Sequence, residues 1–272
     1  MTQTNDIKQH SLGLALSGGG VKGVAHLGVI KALEEIGIKP DIISGVSAGA
    51  IVGALYADGH TPEECRDFLY DSSYFQYVSL GLRGKKLGIA SNNNLHTLLS
   101  NFLKATTFEE LQIPLVVNAT ELYEGKNTYF HHGPLVDKVV ASSSFPIALT
   151  PTVIGEKMYV DGGIFCNLPA SIIRERCNTL IGIHVNPIMT QRTIDNIKDV
   201  AERIYTLMIQ SNTVIEKHIC DLMIEPIKAR NYTTFDKSKI KIIYKIGYEA
   251  ACKSIESNKT FYDALTSTPN TL

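Results

Sequence analysis

Leu12-Gly-Leu-Ala-Leu16, followed by Ser17 and Gly18-Gly-Gly-Val-Lys-Gly23, is the stretch whose reading decides the fold. A short apolar run ends in a glycine loop, and from Val24 apolar residues recur at helical spacing through Leu27, Ile30, Leu33 and Ile36. That pattern is strand, tight loop, helix. It repeats at once: Ile42 and Ile43 form a second short apolar run, Gly45 to Gly49 a glycine-bounded turn, and Ile51, Val52 and Leu55 lie on a second helix. Two consecutive βα units call for a parallel sheet, because parallel neighbours need a crossover and a helix supplies it.

Working outward, further strands are expected at Leu115–Thr120, Thr128–Phe130, Met158–Val160, Leu180–Val185 and Leu222–Ile224. Helical patterns cover Pro62–Tyr70, Leu95–Leu103, Leu135–Val140 and Leu168–Arg176. Two longer helices, Ile194–Lys217 and Ser238–Ser257, are expected to close the chain. Buried short strands alternating with helices give an α/β fold of three layers, α/β/α, around a mainly parallel sheet. With 272 residues, 44% of them hydrophobic, the chain can enclose a sizeable core. No linker or repeat marks a boundary, so residues 1–272 are read as one domain.

The formal charge of −1 provides no bulk attraction to nucleic acid or an anionic membrane, so any membrane-surface contact would be local and transient. Five widely spaced cysteines with no CxxC pair read as reduced core thiols, not as a disulfide framework or a zinc site. Met1–Ser11 is polar and lacks the pattern of a secretory signal, and no run approaches the ~20 apolar residues of a membrane span, so a cytoplasmic location is expected.

Gly45-Val-Ser-Ala-Gly49 carries the chemistry. A G-x-S-x-G motif between a strand and a helix is the setting of a nucleophile elbow, in which Ser47 stands on a strained turn. Side chains at Gly45 and Gly49 would collide with the neighbouring elements. The glycine loop admits two readings. Gly18, Gly20 and Gly23 match a dinucleotide loop, but the second strand ends in Gly45-Val-Ser47 where that fold wants a ribose-binding acid. The alternative is an oxyanion site, with Gly19 and Gly20 offering backbone N–H groups beside the elbow. Lys22 could add positive charge there, although an exposed lysine at a helix start is the expectation. For the base, His184 falls in a strand pattern and His218 ends a long helix, so each reads as structural. Asp161, in Tyr159-Val-Asp-Gly-Gly163, ends a short strand beside Gly162 and Gly163 and is the better candidate, with an Asp-Gly turn as the bland alternative.

Taken together, Gly18-Gly-Gly-Val-Lys-Gly23, Gly45-Val-Ser-Ala-Gly49 and Asp161-Gly-Gly163 resemble, in order, the oxyanion loop, elbow and acid motif of the patatin-like phospholipases. Ala141-Ser-Ser-Ser-Phe-Pro146 and Gly163-Ile-Phe-Cys-Asn-Leu-Pro169 are similar to the segments that flank the acid in that family. The resemblance covers about residues 12–186; the portion from 187 to 272 carries no family signature. It implies a Ser47–Asp161 dyad needing no histidine, and hydrolysis of lipid acyl esters without metal or cofactor. Two departures stand out: Gly-Gly where Gly-Ala is also usual, and Ser-Phe-Pro-Ile-Ala where many members continue Pro-Gly, which bears on the shape of the substrate mouth. Rival readings are a carboxylesterase or thioesterase for small soluble acyl groups and a lipid-binding scaffold without turnover. Tyr70–Leu87 mixes aromatic and basic residues and reads either as a lipid-touching lid or as a segment packed on the core.

Overall fold

The computed structural model describes residues 10–71, 91–146, 149–187, 194, 195, 197–232 and 237–267. From Ser72 onward the Tyr70–Leu87 stretch lies outside them. The described strands form one eight-stranded mixed sheet in the order β5-β6-β3-β2-β1-β7-β8, with β4 on β3. They are β1 (His10–Leu16), β2 (Ile42–Gly45), β3 (Leu115–Glu121), β4 (Lys126–Phe130), β5 (Thr152–Ile154), β6 (Lys157–Asp161), β7 (Cys177–Ile183) and β8 (Leu222–Ile224). Five run parallel, β3-β2-β1-β7-β8, and β4, β5 and β6 join antiparallel.

The helices are α1 (Val24–Glu35), α2 (Ala48–Ala57), α3 (Pro62–Asp71), α4 (Asn93–Phe102), α5 (Leu135–Ser142), α6 (Ser171–Arg174), α7 (Ile197–Lys217), α8 (Ile240–Ser257) and α9 (Lys259–Ser267). Alternation along β1 divides the core. Leu12, Leu14 and Leu16 enter the large cluster shared with α1, α2 and α8, whereas Ala15, with Ile42 and Val116, enters a smaller one under α6.

Four expectations need correction. The helix expected over Leu168–Arg176 shrinks to α6, because Leu168 and Ala170 are spent in the small core. β5 went unforeseen; it is a three-residue partner of β6 made by a turn at Gly155, whose φ is 61°. A further helix, α9, follows the two long ones. The closing helices also start late, at Ile197 and Ile240, the latter behind a short 3-10 turn, Lys237–Lys239.

Register positions the site. Leu16 pairs with Gly45 of β2 on one side and Ile183 of β7 on the other, so the three strands end level, and their loops share one rim. β3 pairs through Val117 with Gly45 and through Ala119 with Asp161. The parallel β2 and the antiparallel β6 therefore bring their C-terminal ends to the same point of β3.

Candidate active site

Ser47 is the one non-glycine residue of positive φ among those described, at φ 55° and ψ −123°. That conformation costs an L residue free energy and persists only where surroundings enforce it. They do so at both ends of the residue. The Ser47 N–H donates to Ser142 Oγ at 3.0 Å, and Ser143 Oγ donates to the Ser47 carbonyl at 3.1 Å. The glycines make room: a Cβ on Gly45 would stand 2.4 Å from the Gly49 carbonyl oxygen, and one on Gly49 2.3 Å from that of Leu16. Ser47 caps α2, whose first N–H groups and dipole favour negative charge at that spot.

Asp161 ends β6 and is buried. Its Oδ1 accepts from the Gly163 N–H at 2.8 Å, and the hydroxyls of Ser47 and Tyr205 lie close enough to draw its pKa down. Burial pushes its pKa up to about 6, against the pull of those three donors toward the ionised form. Gly162 is fixed by contact, since a Cβ there would lie 2.3 Å from the Asn118 carbonyl oxygen, and Asn118 Nδ2 donates to the Gly162 carbonyl.

The glycine loop lies against the elbow. A Cβ on Gly23 would meet that of Ala48 at 2.5 Å, and one on Gly18 would lie 3.3 Å from Ser47 Cβ. Gly20 has φ 58°, and Gly20–Gly23 turns as a 3-10 helix into α1, with Val21 packed in the core. Among the described residues no acceptor is paired with the N–H of Gly19 or Gly20, both on the partly exposed rim. Lys22 corrects the sequence expectation: it is buried, Nζ donating to Asn186 Oδ1 at 2.9 Å, and burial lowers its pKa to about 8.

Several residues here escaped sequence reasoning. Tyr205, Gln210 and Asn212 all lie on α7. Asn212 Nδ2 donates to the carbonyls of Gly163 and Ile164, its Oδ1 accepts from the Asn167 N–H, and Gln210 Nε2 donates to the Asn186 carbonyl at 2.6 Å. Their only signal was membership of a long amphipathic helix. The triplet Ser142-Ser-Ser144 was visible as text but not as the clamp on Ser47. No described histidine bonds Ser47 or Asp161. His184 spends Nδ1 on Glu225 Oε1 at 2.9 Å and is fully buried, and His218 lies just beyond α7. No three His, Cys, Asp or Glu side chains among the described residues are grouped to hold a metal ion.

Comparison with known proteins agrees with this architecture. The chain is 33% identical over 177 residues to an uncharacterized NTE family protein of Mycobacterium tuberculosis, covering 64% of this chain and 48% of that protein. It is 26% identical over 274 residues to patatin-like phospholipase domain-containing protein 7 of Rattus norvegicus, covering 88% of this chain and 20% of that protein. The chain thus spans about half the length of the mycobacterial relative and a fifth of the rat one. Among solved structures it resembles VipD from Legionella pneumophila, with TM-score 0.53 and 16% identity over 92% of this chain and 67% of that one. It also resembles human GIVD cytosolic phospholipase A2, with TM-score 0.50 and 9% identity over 98% and 60%. At those identities the likeness is one of fold. The model of the patatin-like phospholipases matches residues 14–173, more than half the chain and the span holding all three motifs, and the protein belongs to that family.

Proposed function

We propose that this chain is a serine acyl hydrolase that cleaves carboxylic ester bonds of lipids, with Ser47 as nucleophile and Asp161 as its base. The observation that carries the reading is a strained, partly exposed serine whose hydroxyl lies close enough to a buried aspartate of raised pKa to act on its ionisation. Activated nucleophiles are made this way, by a base held within hydrogen-bond reach.

In this mechanism Ser47 Oγ attacks the ester carbonyl while its proton passes to an Asp161 oxygen. The carbonyl oxygen, now negative, is received by the N–H groups of Gly19 and Gly20, with that of Ala48 at the start of α2 beside them. The tetrahedral centre collapses, the C–O bond to the alcohol breaks, and the leaving alkoxide takes the proton from Asp161. Water then repeats the cycle on the acyl-enzyme: Asp161 takes its proton, hydroxide attacks, and Ser47 leaves reprotonated with a fatty acid as product. No step draws on a metal or cofactor. Lys22, its Nζ donating to Asn186, holds positive charge within the loop.

Two readouts test the reading: release of p-nitrophenol from short- and medium-chain esters, and covalent labelling by a fluorophosphonate. Wild type is expected to turn over and label. Ser47→Ala should lose both, and Asp161→Asn should lose turnover by about three orders of magnitude or more with folding intact. A wild type that neither labels nor hydrolyses any ester sinks the proposal in favour of a lipid-binding scaffold. A rate jump when the substrate exceeds its solubility separates a lipid hydrolase from an esterase of small soluble acyl groups.

A further inference from the structure

The free N–H groups of Gly19 and Gly20 are aimed from behind. In a planar trans peptide the C=O and N–H point opposite ways, so whatever holds the carbonyl sets the direction of the amide. Along the loop each carbonyl is held. His26 Nε2 donates to the Ser17 carbonyl at 2.8 Å, Ser17 Oγ to that of Gly18 at 3.2 Å, and the Lys22 N–H to that of Gly19 at 3.2 Å. The last two bonds form within the loop and shape it, but they do not fix how it stands on the rest of the protein. The Ser17–Gly18 peptide does that, because it is tied outward at both ends. Its carbonyl takes His26 from α1, and its N–H donates to the Asn167 carbonyl, beyond the acid turn, at 3.1 Å. The bond to Asn167 is backbone to backbone and follows from the fold, whereas the bond from His26 depends on one side chain.

Stability alone would not choose a histidine there. Among the buried residues of α1, which run from Val24 to Leu33, His26 is the one polar side chain. It is fully buried, and its Nδ1 has no partner among the described residues. The Ser17 carbonyl can only accept, so the ring carries its proton on Nε2 and Nδ1 is a bare acceptor. Burial lowers the pKa of the ring to about 4, against the pull of the Ser17 carbonyl, which leaves it a neutral donor near pH 7. An aliphatic residue would fill the same space without burying an unpaired acceptor. We infer that His26 is a positioning residue for the reaction: from the core it holds the Ser17–Gly18 peptide in the orientation that turns the Gly19 and Gly20 N–H groups to the oxyanion. The role rests on the reading of Ser47 as nucleophile and of the glycine loop as its oxyanion site. His26 acts through the backbone of the loop, one peptide before the first of the two donors.

The experiment compares the full chain with its His26→Met and His26→Gln variants. Both replacements are unbranched, similar in length and good helix formers, and only glutamine brings a donor for the Ser17 carbonyl. On a soluble p-nitrophenyl ester, His26→Met is expected to lower kcat by roughly 10–100-fold with KM little changed, since its donors are misaimed and not removed. A trifluoromethyl ketone, which forms an oxyanion on Ser47, should lose affinity by the same factor. His26→Gln should recover most of both losses, yet melt no higher than His26→Met, because it buries an amide. Activity and stability then move in opposite directions, which a residue that merely fills the core cannot produce. The inference is overturned if the two variants are equally active, if the loss falls on KM, or if ketone affinity does not follow kcat. Should neither variant fold, the wild type labelled with ¹⁵N-histidine decides: His26 should hold its proton on Nε2, and its signal should move when the ketone binds. A proton on Nδ1, or a signal that ignores the ketone, overturns the inference as well. A wild type that neither hydrolyses esters nor binds the ketone sinks the hydrolase reading and this role with it, whereas an active wild type with equal variants sinks the role of His26 alone.

Discussion

At the scale of single residues, the site is built from two local costs that the surroundings sustain. Ser47 holds a backbone conformation worth about 1–3 kcal/mol of strain, fixed by hydroxyls bonded to its own N–H and carbonyl. Asp161 holds a buried carboxylate, and its pKa of about 6 has consequences for both rate and stability. A base must be ionised to accept the Ser47 proton, so kcat/KM is expected to fall with unit slope as pH drops below about 6, a limb that a pH series on a soluble ester reads directly. For stability the sign is the reverse. The folded pKa lies above the 3.8 of a free aspartate, so the native state binds this proton more tightly than the unfolded chain does. That contribution is fully present below the unfolded pKa and is lost as pH rises through about 6, leaving an ionised buried group that costs about 3 kcal/mol at pH 8. Asp161→Asn, dead in turnover, should therefore melt several degrees above wild type at pH 8, with the gap closing toward pH 5. Equal melting temperatures across that range would contradict the buried charge.

At the scale of elements, the strand-loop-helix units were legible because they obey local rules: β1, β2 and β3 are buried on both faces and read as apolar runs, and Gly45 and Gly49 are demanded by backbone contacts under 3 Å that no side chain tolerates. What stayed hidden is long-range. Nothing within Gly18–Gly23 could show that Lys22 would find Asn186 across 164 positions and be buried there. Nor does any local pattern around Tyr205 show that α7 returns to the acid. That contact makes its own prediction. The Tyr205 hydroxyl favours the ionised form of Asp161, so Tyr205→Phe should raise the Asp161 pKa. A charge-assisted hydrogen bond is worth about 1.5–3 kcal/mol, so the acid limb of the pH profile should move up by about one unit. Turnover at pH 6 then suffers more than turnover at pH 8. A tyrosine that merely fills space beside Phe145 would lower the melting temperature and leave the limb where it is.

At the scale of the whole molecule, the family motifs and the folding unit are different lengths of chain. All three motifs lie between Gly18 and Gly163, yet the structure that holds them runs on to α8 and α9. α1 is enclosed on its outer side by α8, backbone against backbone at two glycines: a Cβ on Gly28 would stand 2.0 Å from the Tyr244 carbonyl oxygen, and one on Gly247 2.0 Å from that of Ala25. Every residue of α1 from Val24 to Ile30 is buried, and Ile240, Ile243 and Ala251 of α8 belong to the same core cluster. Behind the rim, the Glu225 carboxylate receives His184 Nδ1 and Lys217 Nζ at 2.9 and 2.6 Å, fastening β7 to β8 where the glycine loop rests. A chain ended after Asn186 keeps every recognisable motif but loses α8, β8, Glu225 and the whole of α7. The uncovered α1 would then expose its face around Ala25 and Gly28, and the core would lose Ile240 and Ile243, large side chains each worth about 1.5–3 kcal/mol when buried, against a total stability of only about 5–15 kcal/mol. The truncated chain is expected to be aggregated or to lack a cooperative melting transition, and to show no fluorophosphonate labelling under conditions where the full chain labels. A soluble, cooperatively folded and labelled fragment would mean instead that residues 187–272 only cover a unit complete without them, and that Tyr205 is dispensable to the site it touches.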